Sequence, residues 1–294
     1  MSSSSFNALA QWLSEYSLAI TFALTAGALG AEWVSRFRAG ASATRNTWLN
    51  SWRTNALLFA AGFALSWAMS PWLSPLLSQL LSGRNGVLSM FDWPLALRIA
   101  IGFVLLDFVG FALHWCEHRF AFWWRLHQVH HSDPAMNAST HFRHHPLSVV
   151  VDILARLPLL WLLGIPAVSW VIYALVSTVL QLWQHAHIAT PLGLERALSF
   201  ALVTPRFHRV HHHPTRAIHD HNFGTVLPWW DRLFGTYDTR WQADATQKNA
   251  TVGLTGVTAR QSASLIHNLL APFTASAAAT TAAVKPPHRA RTHR

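Results

Sequence analysis

Residues 95–131 read LALRIAIGFVLLDFVGFALHWCEHRFAFWWRLHQVHH, an apolar run that gives way to five histidines. The first part, 95–113, carries only Arg98 near one end and Asp107 deeper in. About 20 apolar residues in a helix cross a hydrocarbon core, so this stretch is a membrane span. At His114 the character changes, and polar chemistry begins at the mouth of the span. Residues four apart on a helix stack on one face, so His114 and His118 can chelate one ion. His127, His130 and His131 follow the same logic at i, i+3 and i+4.

The rest of the chain agrees with a membrane setting. Of 294 residues, 51% are hydrophobic and 12% charged, against about 25% charged in soluble domains. Mean hydropathy is +0.22. Residues 17–34 and 56–81 are two further spans. Residues 147–183 are too long for one crossing and are divided by LLGIP at 162–166, which predicts a helical hairpin turning at Gly164 and Pro166.

The loops set an orientation. Residues 35–55 hold Arg36, Arg38, Arg45 and Arg53 with no acid, while 82–94 holds Arg84 against Asp92. The positive-inside rule puts 35–55 in the cytoplasm. The third span then delivers residue 114 onward to that face, and the hairpin returns to it. The N-terminus has no Lys or Arg ahead of its first apolar stretch, so no cleaved signal peptide is expected. The formal charge of +10 is nearly all arginine, with Lys248 and Lys285 the only lysines. These arginines flank spans and form no nucleic-acid motif, so topology explains them and no nucleic-acid partner is expected. Cys116 is the single cysteine, which excludes an intramolecular disulfide and a thiolate cage. The tail from about 273 is Ala/Thr-rich and then basic, and is expected to be disordered.

Of 19 histidines none precedes His114, and sixteen fall between 114 and 221. His208, His211 and His212 repeat the HxxHH spacing, and His185 and His187 follow the hairpin. Eight histidines in three boxes exceed what one ion takes, since zinc has about four ligands and iron at most about six; two metals are implied. Imidazole suits iron, zinc, copper and nickel alike. No Glu stands three residues before a His, which excludes the paired ExxH sites of soluble di-iron bundles. Glu117 directly precedes His118, and at i+1 it is expected to point away from the metal face. His141, His144, His213, His219 and His221 are expected behind the ligands or in solvent, and His145 and His187 are left open.

Two segments carry a more specific signal: DFVGFALHWCEHRFAFWWRLHQVHHSDPAMNASTHFRHHP, and later PRFHRVHHH followed by HNFGTVLPWWDRLFGTY. Their box order, spacings and flanks resemble the sterol desaturase / fatty acid hydroxylase superfamily of membrane-bound, non-haem di-iron enzymes, over roughly residues 95–240. The resemblance implies metal ligands at His114, His118, His127, His130, His131, His208, His211 and His212. His185 matches the histidine this family places after its hairpin. His187 is a departure, standing where the family usually has Asn. Asp107, Asn222 and Asp231 match flanking positions. Asp231 or Asn222 is expected to hold the distal N–H of a ligand imidazole, and Asp107 to stand behind a ligand or be buried in the bundle.

The expected fold is thus an all-α integral membrane protein of about four transmembrane helices or hairpin segments, with a cytoplasmic helical cap carrying a histidine-rich dimetal site. The expected division is 1–94 for N-terminal transmembrane helices, 95–240 for the catalytic domain and 241–294 for a C-terminal extension. The resemblance implies an O2-dependent oxidoreductase that hydroxylates or desaturates a C–H bond of a lipid drawn from the bilayer. Its cofactors would be two iron ions, with zinc able to replace them on purification. Electrons would come from a separate ferredoxin-, cytochrome- or reductase-type protein, and the location would be the inner or cell membrane. The competing reading is a histidine-rich membrane metal-binding or transport protein without oxygenase activity. Transport needs polar residues lining a path through the spans, and these spans carry almost none.

Overall fold

The computed structural model describes residues 3–38, 45–80, 86–188, 190–243 and 251–274, and among them there is no strand. Two long helices, α1 (Ser3–Arg38) and α2 (Arg45–Leu80), precede α3 (Leu95–Arg119) and α4 (Ala121–His131). A hairpin follows, α5 (Pro146–Leu163) and α6 (Ala167–His185). The remainder is short helices: α7 (Leu192–Leu198), α8 (Pro205–His211), α9 (Arg216–His219), α10 (Trp229–Phe234), α11 (Ala259–Ser262) and α12 (Leu265–Leu270).

Among the described residues, five helices are long and apolar enough to cross a membrane: Glu15–Ser35, Asn46–Gln79, Leu95–Arg119, Pro146–Leu163 and Ala167–His185. The chain is a membrane protein. The four apolar regions of the sequence become five helices because the fourth divides at Gly164, as its turn residues predict. Gly164 has φ 64, a left-handed value open to a residue without Cβ, and its N–H bonds Leu160 O to end α5. Pro166 then opens α6.

α1 packs on α6, α2 on α5, and α3 on α6. Glycine lets α3 and α6 approach closely: a Cβ on Gly110 would stand 2.8 Å from Tyr173 Oη. Large apolar side chains such as Trp67, Trp72, Leu154 and Trp161 face outward, the surface that lipid solvates.

The hairpin tip meets the connection between α2 and α3. Leu88 packs with Leu106, Leu160 and Ile165 in one apolar cluster. α5 and α6 therefore run the full depth of the bundle, and the histidine boxes lie at its opposite end.

α2 begins well ahead of its apolar run because its first turns have a polar network to join. Arg143, fully buried, donates from Nε to Val129 O (2.9 Å), from Nη1 to Asn55 Oδ1 (2.9 Å), and from Nη2 to Ser262 O (2.8 Å) and Asn268 Oδ1 (3.0 Å). Asp133 accepts from Ser51 (2.6 Å) and Thr140 (2.7 Å). A buried charge is tolerated only when its hydrogen-bonding capacity is met in this way. The network ties α2, the α4–α5 connection and residues 259–274 together. The tail expected to be disordered falls, beyond residue 274, outside the described residues.

Candidate metal centre

The end of α3 presents His114 and His118, α4 presents His127, His130 and His131, α6 ends on His185, and α8 with its cap presents His208, His211 and His212. These nine side chains form two groups. His114, His118, His127, His131 and His211 each bring one ring nitrogen within 4.8 Å of all the others, and so do His130, His185, His208 and His212. Helical geometry explains the division. His127 and His131 are i, i+4 and share a group, while His130, about 100° from His131 around the helix, serves the other. In the third box His208 and His212 share a group and His211 crosses over. Each HxxHH box straddles two sites.

In the group of four, the Nε2 atoms converge. His185 Nε2 lies 3.3 Å from His130 Nε2 and 3.0 Å from His208 Nε2, and His208 Nε2 lies 3.1 Å from His212 Nε2. Nitrogens about 2.0–2.1 Å from one tetrahedral ion stand about 3.3–3.4 Å apart, so the donor set fits a cation. In the group of five, Nε2 of His114, His118, His127, His131 and His211 is buried and makes no hydrogen bond. An unpartnered buried polar atom costs about 1–3 kcal/mol. Five of them facing one point are a cost that a metal ion removes.

The opposite ring nitrogens are held from behind. Nδ1 of His114 donates to Phe223 O (2.9 Å), that of His211 to His221 O (2.9 Å), and that of His185 to Gln181 O (2.7 Å). Donating at Nδ1 leaves the Nε2 lone pair free and fixes each ring's direction. Burial first, and neighbouring imidazoles second, hold His130, His131, His208 and His212 well below the ordinary histidine pKa. His127 is pushed down to about 3 for the same reasons. These rings are neutral at physiological pH, as metal ligation requires.

The expected role of Asp231 and Asn222 needs correction: neither is bonded to an imidazole. Asp231 accepts the backbone N–H of Phe223 (2.8 Å) and Gly224 (2.7 Å) and the Thr236 hydroxyl (2.6 Å), and burial pushes its pKa up to about 6. Asn222, at φ 61, donates to Phe207 O (3.0 Å) and accepts from Asp238 N (2.8 Å). Asp107 accepts from Val226 N (3.0 Å), Leu227 N (3.1 Å) and the Trp230 indole (2.9 Å). Asp231 and Asp107 hold the backbone N–H groups of 223–227 and Asn222 ties that stretch to Phe207 and Asp238, and the stretch with His221 supplies the carbonyls that meet His114 and His211. They act one bond further out than the sequence suggested.

Glu117 also departs from expectation. Its Oε2 lies 3.0 Å from His127 Nδ1, without the alignment of a hydrogen bond. Its i+3 spacing from His114, rather than its adjacency to His118, decides its direction. Asp220 was missed entirely: Oδ1 lies 3.3 Å from His118 Nδ1 while Oδ2 accepts from Arg216 Nε at 3.2 Å. His144 stacks on His130 with centroids 4.8 Å apart, and His219 stacks on Trp124 at 5.2 Å. His145 caps α5 and donates from Nε2 to Leu269 O (3.1 Å). Neither His145 nor His187 joins the two groups of ligating nitrogens.

A cavity of about 290 Å³ opens against both groups on the side of the spans, reached by His114 and His127 from one and His130 and His208 from the other.

Residues 99–236 match the family model described as fatty acid hydroxylase. An ornithine lipid hydroxylase, OlsE, of Rhizobium tropici is 29% identical over 62% of this chain and 52% of its own length. Alkylglycerol monooxygenase of Homo sapiens is 33% identical over 46% of this chain and 29% of its own. That of Danio rerio is 31% identical over 49% and 31%. The chain thus spans about half or less of the curated relatives it matches. No solved structure matches it.

Proposed function

We propose, from the match of residues 99–236 to the fatty acid hydroxylase family model, that the protein is a membrane-bound di-iron oxidoreductase that hydroxylates a C–H bond of a lipid. The observation that carries the reading is the division of nine buried histidines into groups of five and four. His114, His118, His127, His131 and His211 would hold one iron, and His130, His185, His208 and His212 the other. Two ferrous ions, when bound, supply the activation of dioxygen that an unactivated C–H bond demands. The balance is one C–H bond, one O2, two electrons and two protons giving C–OH and water. The electrons come from a separate ferredoxin-, cytochrome- or reductase-type protein. Hydroxylation is favoured over desaturation by the relatives, which are a hydroxylase and monooxygenases.

The chain's own residues do three things in this account. Burial keeps the imidazoles neutral and able to ligate. The carbonyls of Gln181, His221 and Phe223 fix which nitrogen faces the metal. The surrounding bundle keeps water from the reacting centre, which protects a strong oxidant from quenching. The arginines of 35–55 argue for a histidine site on the cytoplasmic face of the inner or cell membrane. Residues 1–94 serve as membrane helices, 95–240 as the catalytic unit and 241–294 as an extension whose described part is anchored on Arg143.

The test is anaerobic purification with metal analysis, together with lipid extracts of cells with and without the protein under oxygen. A lipid heavier by one oxygen is the expected product. A lipid lighter by two hydrogens assigns a desaturase instead. Unchanged lipids overturn the oxygenase reading.

A further inference from the structure

The cavity beside the histidines has a wall unlike that of an alkyl-chain tunnel. From His114 and His130 it runs along α5 to Asp152 and Arg156, and Glu117 and Gln184 also face it. Arg156 Nη2 lies 2.8 Å from Asp152 Oδ1, one turn apart, and the guanidinium sits 5.9 Å from the centroid of Trp170. This pair stands within a helix apolar enough to span the membrane. Charged groups at that depth are costly, and a purely structural helix has no need of them. Three further atoms on the wall are buried without a hydrogen-bond partner: Arg156 Nε, Ser148 Oγ and Gln184 Oε1. Gln184 is fully buried, and its amide nitrogen is already given to Val203 O and Thr225 O. A methylene chain offers none of these atoms a partner, whereas a polar group offers all of them one.

We propose that this cavity receives the polar, zwitterionic end of an amphipathic lipid, with Arg156 meeting its anionic group and Asp152 its cationic group. The oxidised carbon then lies in or beside the headgroup, not midway along an acyl chain. The outer face of α5, with Leu154, Trp161 and Leu162 exposed, leaves the tail in the bilayer. The inference rests on the hydroxylase reading. Its step is the same: a C–H bond at the polar end breaks, a C–O bond forms, one atom of O2 enters the product, and the other leaves as water with two electrons from the donor and two protons.

The test gives the iron-loaded full chain, with a reductant, the total lipid extract of the expressing cells, and maps the added oxygen by tandem mass spectrometry. Oxygen on headgroup fragments of zwitterionic lipids supports the proposal. Oxygen on an acyl fragment remote from the head overturns it and leaves the hydroxylase reading standing. No oxygen in any lipid from protein that carries its iron overturns both. Arg156→Gln and Asp152→Asn are expected to raise KM about 10–100-fold, the worth of a charge-assisted hydrogen bond, with kcat and iron content kept. Arg156→Lys, which keeps the charge, is expected to recover part of that loss. A KM unchanged in all three variants overturns the role of the pair.

Discussion

The Nε2 atoms of His185 and His208 stand 3.0 Å apart, although one residue ends α6 and the other lies 23 positions on in α8. His185 turns Nδ1 to Gln181 O at 2.7 Å, so its other nitrogen faces His208, His130 and the point where a cation fits. A histidine outside the three boxes thus completes the second group.

It follows that His185→Ala loses one of two metal equivalents while membrane insertion persists. His187→Ala keeps both, since His187 joins neither group. Metal analysis of the two purified variants decides the matter. Equal metal content in both removes His185 from the ligand set.

Glu117 lies 3.0 Å from His127 Nδ1 and lines the cavity beside it. Replacing a carboxylate behind a metal ligand typically costs about 10–100-fold in affinity or activity. Glu117→Gln, nearly isosteric, is expected to lower turnover by that order while the protein still inserts and folds. Turnover equal to wild type, measured on the oxidised lipid, makes its position incidental.

Asp231 holds Phe223 N and Gly224 N, and Phe223 O in turn holds His114. Asp231→Ala leaves two buried N–H groups unpaired, at about 1–3 kcal/mol each. A lower thermal midpoint and weaker metal retention are expected. Asp92→Asn, on the exposed connection before α3, is expected to change neither. A midpoint unmoved by Asp231→Ala contradicts the role given to that loop.

The histidines also set an acid limit on the metal-free protein. His127 and His141 have native pKa values pushed down to about 3 by burial, against an ordinary 6.5. Above 6.5 they are neutral both folded and unfolded and add no pH dependence. As pH falls below 6.5 the unfolded chain takes up protons that the folded one refuses, so stability declines toward about 3. Thermal melts of metal-free protein from pH 8 to 4 are expected to be level at first and then to fall. A midpoint that rises on acidification contradicts the buried, neutral assignment.

The parts legible in the sequence are those carried by helical period. His114 with His118, and both HxxHH boxes, announce themselves because i, i+3 and i+4 share a face. The hairpin was legible from Gly164 and Pro166. Other parts were not, for physical reasons. The acceptors behind His114, His185 and His211 are backbone carbonyls, which no residue type advertises. Asn222 and Asp231 are of a type that suits a partner of an imidazole, and Asp107 suits either that or burial in the bundle, yet the oxygens of all three accept from backbone N–H groups. Glu117 adjoins His118 in sequence, but its carboxylate meets His127 on the next helix, a contact that only the packing of α3 against α4 creates. Arg143 and Asp133 belong to a network spanning residues 51–268, which only the packed chain assembles.

Two groups of ligating histidines call for two metal ions per chain. Metal-free protein titrated with ferrous ion under anaerobic conditions is predicted to saturate at two equivalents per chain, one for each histidine group. Saturation at one equivalent, or no saturable uptake, contradicts it.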